Sequence, residues 1–185
     1  ADQVDMGRRL AYYTQVREYG VAALTALEGS RPMPDEAFLF ALYESTQIVP
    51  RPVNRSTYDE AVAGGGFAQI GSSETRSLIA NYYLNREAAD VTIRNLPPYR
   101  DIARRYMPLH VQELIRERCP EVRIRDARGD NINVLPTTCE LGLSASEAAA
   151  AVSRVRSAPG LYLDLTRYIS DIDQKLILFA AARDS

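Results

Sequence analysis

After Pro159-Gly160, the residues Leu165, Ile169, Ile172, Leu176 and Phe179 recur at intervals of four, three, four and three. Such a stripe puts one continuous apolar face on a long helix, and the rest of the chain must supply a surface to cover it. A second stripe stands at the other end of the chain. Leu10, Tyr13, Val16, Gly20, Leu24 and Leu27 share a helical face and predict a helix from about Asp5 to Glu28, ended by Gly29. Long helices joined by short connections point to an antiparallel bundle.

Between them the punctuation is dense. Pro34, followed by Asp35 and Glu36, starts a helix to about Gln47 that would bury Phe38, Leu39, Leu42 and Tyr43, before Pro50 and Pro52 end it. Asn54 to Ser56 cap a short helix through Val62. Gly64-Gly65-Gly66 then frees the backbone to turn, and Phe67 and Ile70 are expected to peg that loop to the core. Ser72 or Ser73 caps a third major helix to about Asn95, with Ile79, Tyr82, Arg86, Ala89, Ile93 and Leu96 along one side. Pro97-Pro98 breaks it and starts a fourth, with Tyr99, Ile102, Tyr106 and Leu109 inward, a kink at Pro108 and an end at Cys119-Pro120. From Glu121 to Leu143 the helical period disappears, and alternating residues flanking Arg128-Gly129-Asp130 allow a short β-hairpin. Ser144-Ala145-Ser146-Glu147 is a capping box that opens an alanine-rich helix to about Ser157. The expected architecture is a single all-α domain over residues 1–185. It is an antiparallel bundle of about four to five main helices, with a short irregular or β-hairpin insertion near 121–143.

At 185 residues, the chain is long enough to bury about 70% of its unfolded surface around one core. A net charge of −2 leaves no electrostatic footprint for nucleic acid, and no run of about 20 apolar residues exists to span a bilayer. Cys119 and Cys139 both lie just outside predicted helices, on either side of a segment rich in Pro, Gly, Asp and Asn. That placement suits a disulfide staple, worth about 3 kcal/mol for a loop of this size and stable only in an oxidising compartment. The alternative is two unpaired cysteines.

Thr57-Tyr58-Asp59-Glu60, Gly65-Gly66-Phe67-Ala68-Gln69-Ile70, Arg76-Ser77-Leu78-Ile79 and Tyr82-Tyr83 together form a pattern. It resembles an uncharacterised bacterial family in which a short cytoplasmic tail and one transmembrane helix precede a helical domain. Ala61 stands where that family usually has a larger apolar residue. The resemblance implies a periplasmic domain anchored to the inner membrane through an upstream helix absent from this chain. It brings no activity, cofactor or catalytic residue with it.

His110 is the only histidine, so no multi-histidine metal site can form, and two cysteines flanking an irregular loop do not make a four-ligand zinc pattern. No G-x-S-x-G elbow presents a nucleophile to His110. Gly64-Gly65-Gly66 lacks the lysine and preceding strand of a phosphate cradle and reads as a tight turn. Arg128-Gly129-Asp130 matches an adhesion tripeptide, but such a triplet often arises by chance and these residues suit an exposed turn. Asp171 and Asp173 are two apart on a helix and point in different directions, so with Asp164 and Glu147 they read as a solvated face rather than paired catalytic acids. Eleven tyrosines against four phenylalanines and no tryptophan imply a partly polar interior or pocket rim, because each buried hydroxyl needs a partner.

These readings name no catalytic, metal-binding or cofactor-binding residue, and they leave the ligand or partner surface open. The function expected is a non-catalytic periplasmic domain acting by protein contact, with self-association through the first helix as one route. A ligand-sensing bundle is the alternative, and an uncharacterised enzyme a further one.

Overall fold

The stripes at the two ends of the chain meet. In the computed structural model, which describes residues 2–48, 56–94, 98–125 and 131–184, helix α1 (Asp2–Glu28) lies against the last helix, α8 (Leu161–Asp184). The pair is antiparallel. Tyr13 stacks on Phe179 near one end, Arg17 grips Asp173 further along, and Tyr162 donates a 2.8 Å hydrogen bond to Glu28 at the other end. Gly20 sits at a tight contact between them: a Cβ there would lie 3.2 Å from Cγ1 of Ile169, which leaves room only for a residue without a side chain. Along α8, Leu165, Ile169, Ile172 and Phe179 are buried and Leu176 is half-buried, as the stripe requires.

Helix α2 (Asp35–Glu44) packs beside α1 and is buried from Phe38 to its end. It stops at Glu44, earlier than the expected Gln47, and turns through Ser45 and Thr46. A short helix α3 (Ser56–Ala63), a 3-10 turn (Gly66–Gln69) and α4 (Ser73–Arg94) follow. Gly65 takes φ +71° at the entry to the 3-10 turn, a left-handed conformation that explains why glycine stands there. Pro50, Pro52, Asn54 and Leu96 lie outside the described residues, as do the side chains of Arg86, Ala89 and Ile93.

Two expectations for the middle of the chain need correcting. Phe67 is half-buried, but it rests edge-on against Tyr58 rather than in the main core, and Ile70 is exposed. The expected fourth helix is two helices, α5 (Pro98–Tyr106) and α6 (Leu109–Arg118). Pro108 does more than kink the chain. Its ψ of 141° is extended, which ends one helix and makes it the N-cap of the next. The change of direction leaves Leu109, expected inward, 65% exposed. The short α3 stands where a short helix was expected, and the break at Pro108 brings the number of helices to eight among the described residues, above the four to five main helices expected.

The insertion is a β-hairpin, β1 (Val122–Arg125) antiparallel to β2 (Asn131–Val134). Arg128-Gly129-Asp130 lie outside the described residues. Cys119 and Cys139 form a disulfide with Cα atoms 5.7 Å apart, closing the hairpin at its base. Beyond it, Glu36 accepts from the backbone N–H groups of Leu141 (3.0 Å) and Leu143 (2.5 Å), fastening the irregular stretch to α2. Ser144 then caps α7 (Ala145–Arg156) in a complete capping box with Glu147. Ala148, Ala151, Val152 and Val155 face inward, toward α2 and α5.

Candidate functional site

The chemistry-bearing groups gather at the C-terminal end of α2, where Glu44, Ser45 and Thr46 are all buried. Arginines from α5 reach this end. Arg100 donates to the Thr46 carbonyl, and Nε of Arg104 donates to Thr46 Oγ1 at 2.7 Å. Cations here suit the negative end of a helix dipole. The Arg104 guanidinium also lies 3.5 Å from the centre of the Tyr43 ring. Burial lowers its pKa, partly offset by Tyr43. Tyr99 fills the wall behind, its hydroxyl 2.7 Å from Ser45 Oγ and donating to the Leu42 carbonyl.

Glu44 is the anomaly. It is 1% exposed, and its Oε2 has no hydrogen-bond partner, alone among buried side-chain atoms of the described residues. Burial pushes its pKa up to about 7. A hydrogen bond with Gln47 and the Arg104 charge oppose that rise, and the Glu121 charge adds to it. A buried carboxyl so placed holds its proton near neutrality. Tyr12 and Tyr19 face the same region from α1. Tyr12 donates to Glu121 at 2.7 Å and Tyr19 to the Pro136 carbonyl. Burial, aided by Glu44 and Glu18, raises Tyr19 to about 12. The tyrosine excess therefore does line a partly polar interior with satisfied hydroxyls.

The hairpin lies alongside this cluster with its faces reversed from the usual order. Asn133 and Leu135, two apart and so on one face, turn toward α1: Asn133 donates to Glu121 at 2.9 Å, and Leu135 is buried. The opposite face pairs Val122 with Val134 and Ile124 with Ile132, and its β1 residues are exposed.

His110 stands elsewhere, exposed on α6 beside a cleft of about 460 Å³. Pro108, Leu109, Ala150 and Ala151 give the cleft an apolar floor, with Glu147 and Arg154 along its α7 side. Glu147 is occupied in capping. Its Oε2 accepts from Ser144 Oγ and the Ser144 N–H, which lower its pKa. The volume falls within the range of ligand pockets. Asp173 is tied to Arg17 and Asp171 is exposed, so the structure does not bring these aspartates together as a pair. Among the described residues no group of three or more His, Cys, Asp or Glu is placed to hold a metal ion, and no helix is long and apolar enough to cross a membrane.

Sequence reasoning missed Glu44, whose surroundings come from α1, α5 and the hairpin base. The one available signal was an acid directly following the apolar run Phe38 to Tyr43. No family, curated protein or solved structure matches the chain.

Proposed function

We propose that this is a non-catalytic domain on the periplasmic side of a bacterial inner membrane, acting by protein contact and held there by a segment upstream of the chain. The disulfide supports an oxidising compartment, and the resemblance described above supplies the anchor. The observation that carries the contact reading is the use made of residues 56–84. This segment bears the family-like pattern, yet α3 and the 3-10 turn bury none of their residues. Its aromatic side chains pack on one another: Tyr58 stacks on Tyr83 at 4.4 Å, and Tyr82 meets Tyr83 edge-on. Leu78 (66%) and Leu84 (62%) of α4 are left largely exposed. On α8, which α4 touches, Ile177 and Leu178 are exposed as well. Large exposed aliphatics on a segment whose aromatic residues pack on one another are available to a partner. The first helix has less to offer a partner, because between Gly7 and Glu28 only Ala11, Glu18 and Glu28 are exposed.

The test is a photocrosslinking amino acid at Leu84 in the full-length protein in cells, with Glu113 on α6 as control, alongside light scattering of the purified domain. A discrete adduct at Leu84 alone supports the reading. No adduct at Leu84, with a strict monomer at high concentration, sinks it.

The cleft beside His110 favours a second reading, a sensor holding a small molecule between α6 and α7. Native mass spectrometry after mild purification addresses it, and a spectrum of bare protein alone would weaken it.

A further inference from the structure

We propose that the outer edge of β1 is a docking strip for an extended segment of a partner protein, one in which acidic residues alternate with aliphatic ones. The strip shares no residue with 56–84, so it stands or falls apart from the contact placed there. Among the described residues, β1 and β2 pair only with each other. β2 is the inner strand. It meets α1, the Leu135 N–H just after it donates to Gln15 Oε1 at 3.1 Å, and the Leu135 side chain, 2% exposed, belongs to the core. Glu121, just before β1, fixes the root of the other strand by accepting from Tyr12 and Asn133. The hairpin is therefore firmly seated, while β1 itself is exposed from end to end. Along its outer edge, alternate residues point their N–H and C=O groups away from β2, which is the template an added strand completes.

The side chains of β1 select the strand that fits. Val122 (46% exposed) and Ile124 (41%) share one face with their partners Val134 and Ile132, and Arg123 and Arg125 stand exposed on the other. Glu121, the carboxylate that precedes the arginines on their face, is already committed to Tyr12 and Asn133. A second copy of the chain is a poor occupant. Antiparallel pairing of two β1 strands over their whole length sets Val122 of one copy opposite Arg125 of the other, which mixes the two faces. A slip of one residue either way sets arginine opposite arginine, and like charges facing each other across strands repel. A partner with acids at those positions removes the repulsion and preserves both faces. Its aliphatic residues extend the row of Val122 and Ile124, and its carboxylates meet Arg123 and Arg125 across the new pairing, where Cβ atoms lie about 5 Å apart.

Short capped peptides serve as probes, one alternating glutamate with valine and one alternating lysine with valine. Titrated into the disulfide-intact domain and followed by amide chemical shifts, the acidic peptide should perturb Val122 to Arg125 far more than Val155 in α7. It should bind about tenfold or more tightly than the lysine peptide, and less tightly as salt rises. N-methylation of alternate residues, made in both phases, should abolish binding in one phase and spare it in the other, because only every second amide of an added strand faces its neighbour. Arg123→Glu combined with Arg125→Glu changes two exposed side chains and should reverse the preference toward the lysine peptide. Three results on the wild-type domain each overturn the proposal: no change at Val122 to Arg125 with about 1 mM acidic peptide, equal binding of the acidic and lysine peptides, or equal binding of the two methylated forms. Shifts at Val122 to Arg125 on concentrating the domain alone would overturn it in favour of a second copy.

Discussion

Arg17 on α1 and Asp173 on α8 form a two-pronged ion pair across 156 residues of chain, with Nη2 3.3 Å from Oδ2 and Nε bonded to Oδ1. It fixes the register of the first and last helices, halfway between the Tyr13–Phe179 stack and the Gly20–Ile169 contact.

The pair is more useful for alignment than for stability, because both side chains are over a third exposed. Asp173→Asn should lower unfolding free energy by less than about 1 kcal/mol. Urea denaturation at low and high salt checks this. The cost should shrink as salt rises.

Gly20 is the opposite case, a residue with no side chain whose replacement is expensive. Gly20→Val adds a branched group where a Cβ already comes within 3.2 Å of Ile169. The expected loss is about 2 kcal/mol, despite valine's better helix propensity. Thermal unfolding should show a clearly lower midpoint, and the paired change Ile169→Ala should restore part of it.

Glu44 predicts a pH dependence with a definite sign. Its folded pKa, about 7, lies above the ordinary 4.5, so the folded state holds a proton that the unfolded chain has released. Its contribution is complete below about pH 4.5 and is lost as pH rises to about 7, a fall of about 3 kcal/mol from this group. Wild type should therefore weaken relative to Glu44→Gln over that range, with a constant difference above it. Equal pH profiles for the two proteins in urea would refute this.

The helical order was readable from spacing and caps, because both are local. The α8 stripe and the Ser144–Glu147 box depend on residues within a few turns, and each appears where its pattern places it. Pro108 was legible as a disruption but not as a full stop, since whether a helix bends or restarts depends on the neighbours that receive its two halves. Leu109 turned outward for that reason. Ile70 was read as a peg on its apolar character alone, yet it stands exposed. The cluster around Glu44 was illegible for a different reason: Tyr12, Arg104 and Glu121 are remote in sequence, and no local pattern announces their meeting.

The disulfide predicts a simple measurement. Cys119→Ser with Cys139→Ser should lose about 3 kcal/mol of stability, and wild type under reductant should unfold at nearly the same denaturant concentration as that variant. Labelling of denatured, unreduced protein should find no free thiol.

The sulfur bridge also closes residues 119–139 into a ring on the domain. A protease cutting once between Cys119 and Cys139 would produce a nicked molecule of unchanged mass apart from one added water, separable into two fragments only under reduction. For the same reason a foreign loop grafted at the hairpin tip would begin and end on a scaffold whose roots are pinned 5.7 Å apart, leaving the helices behind it undivided.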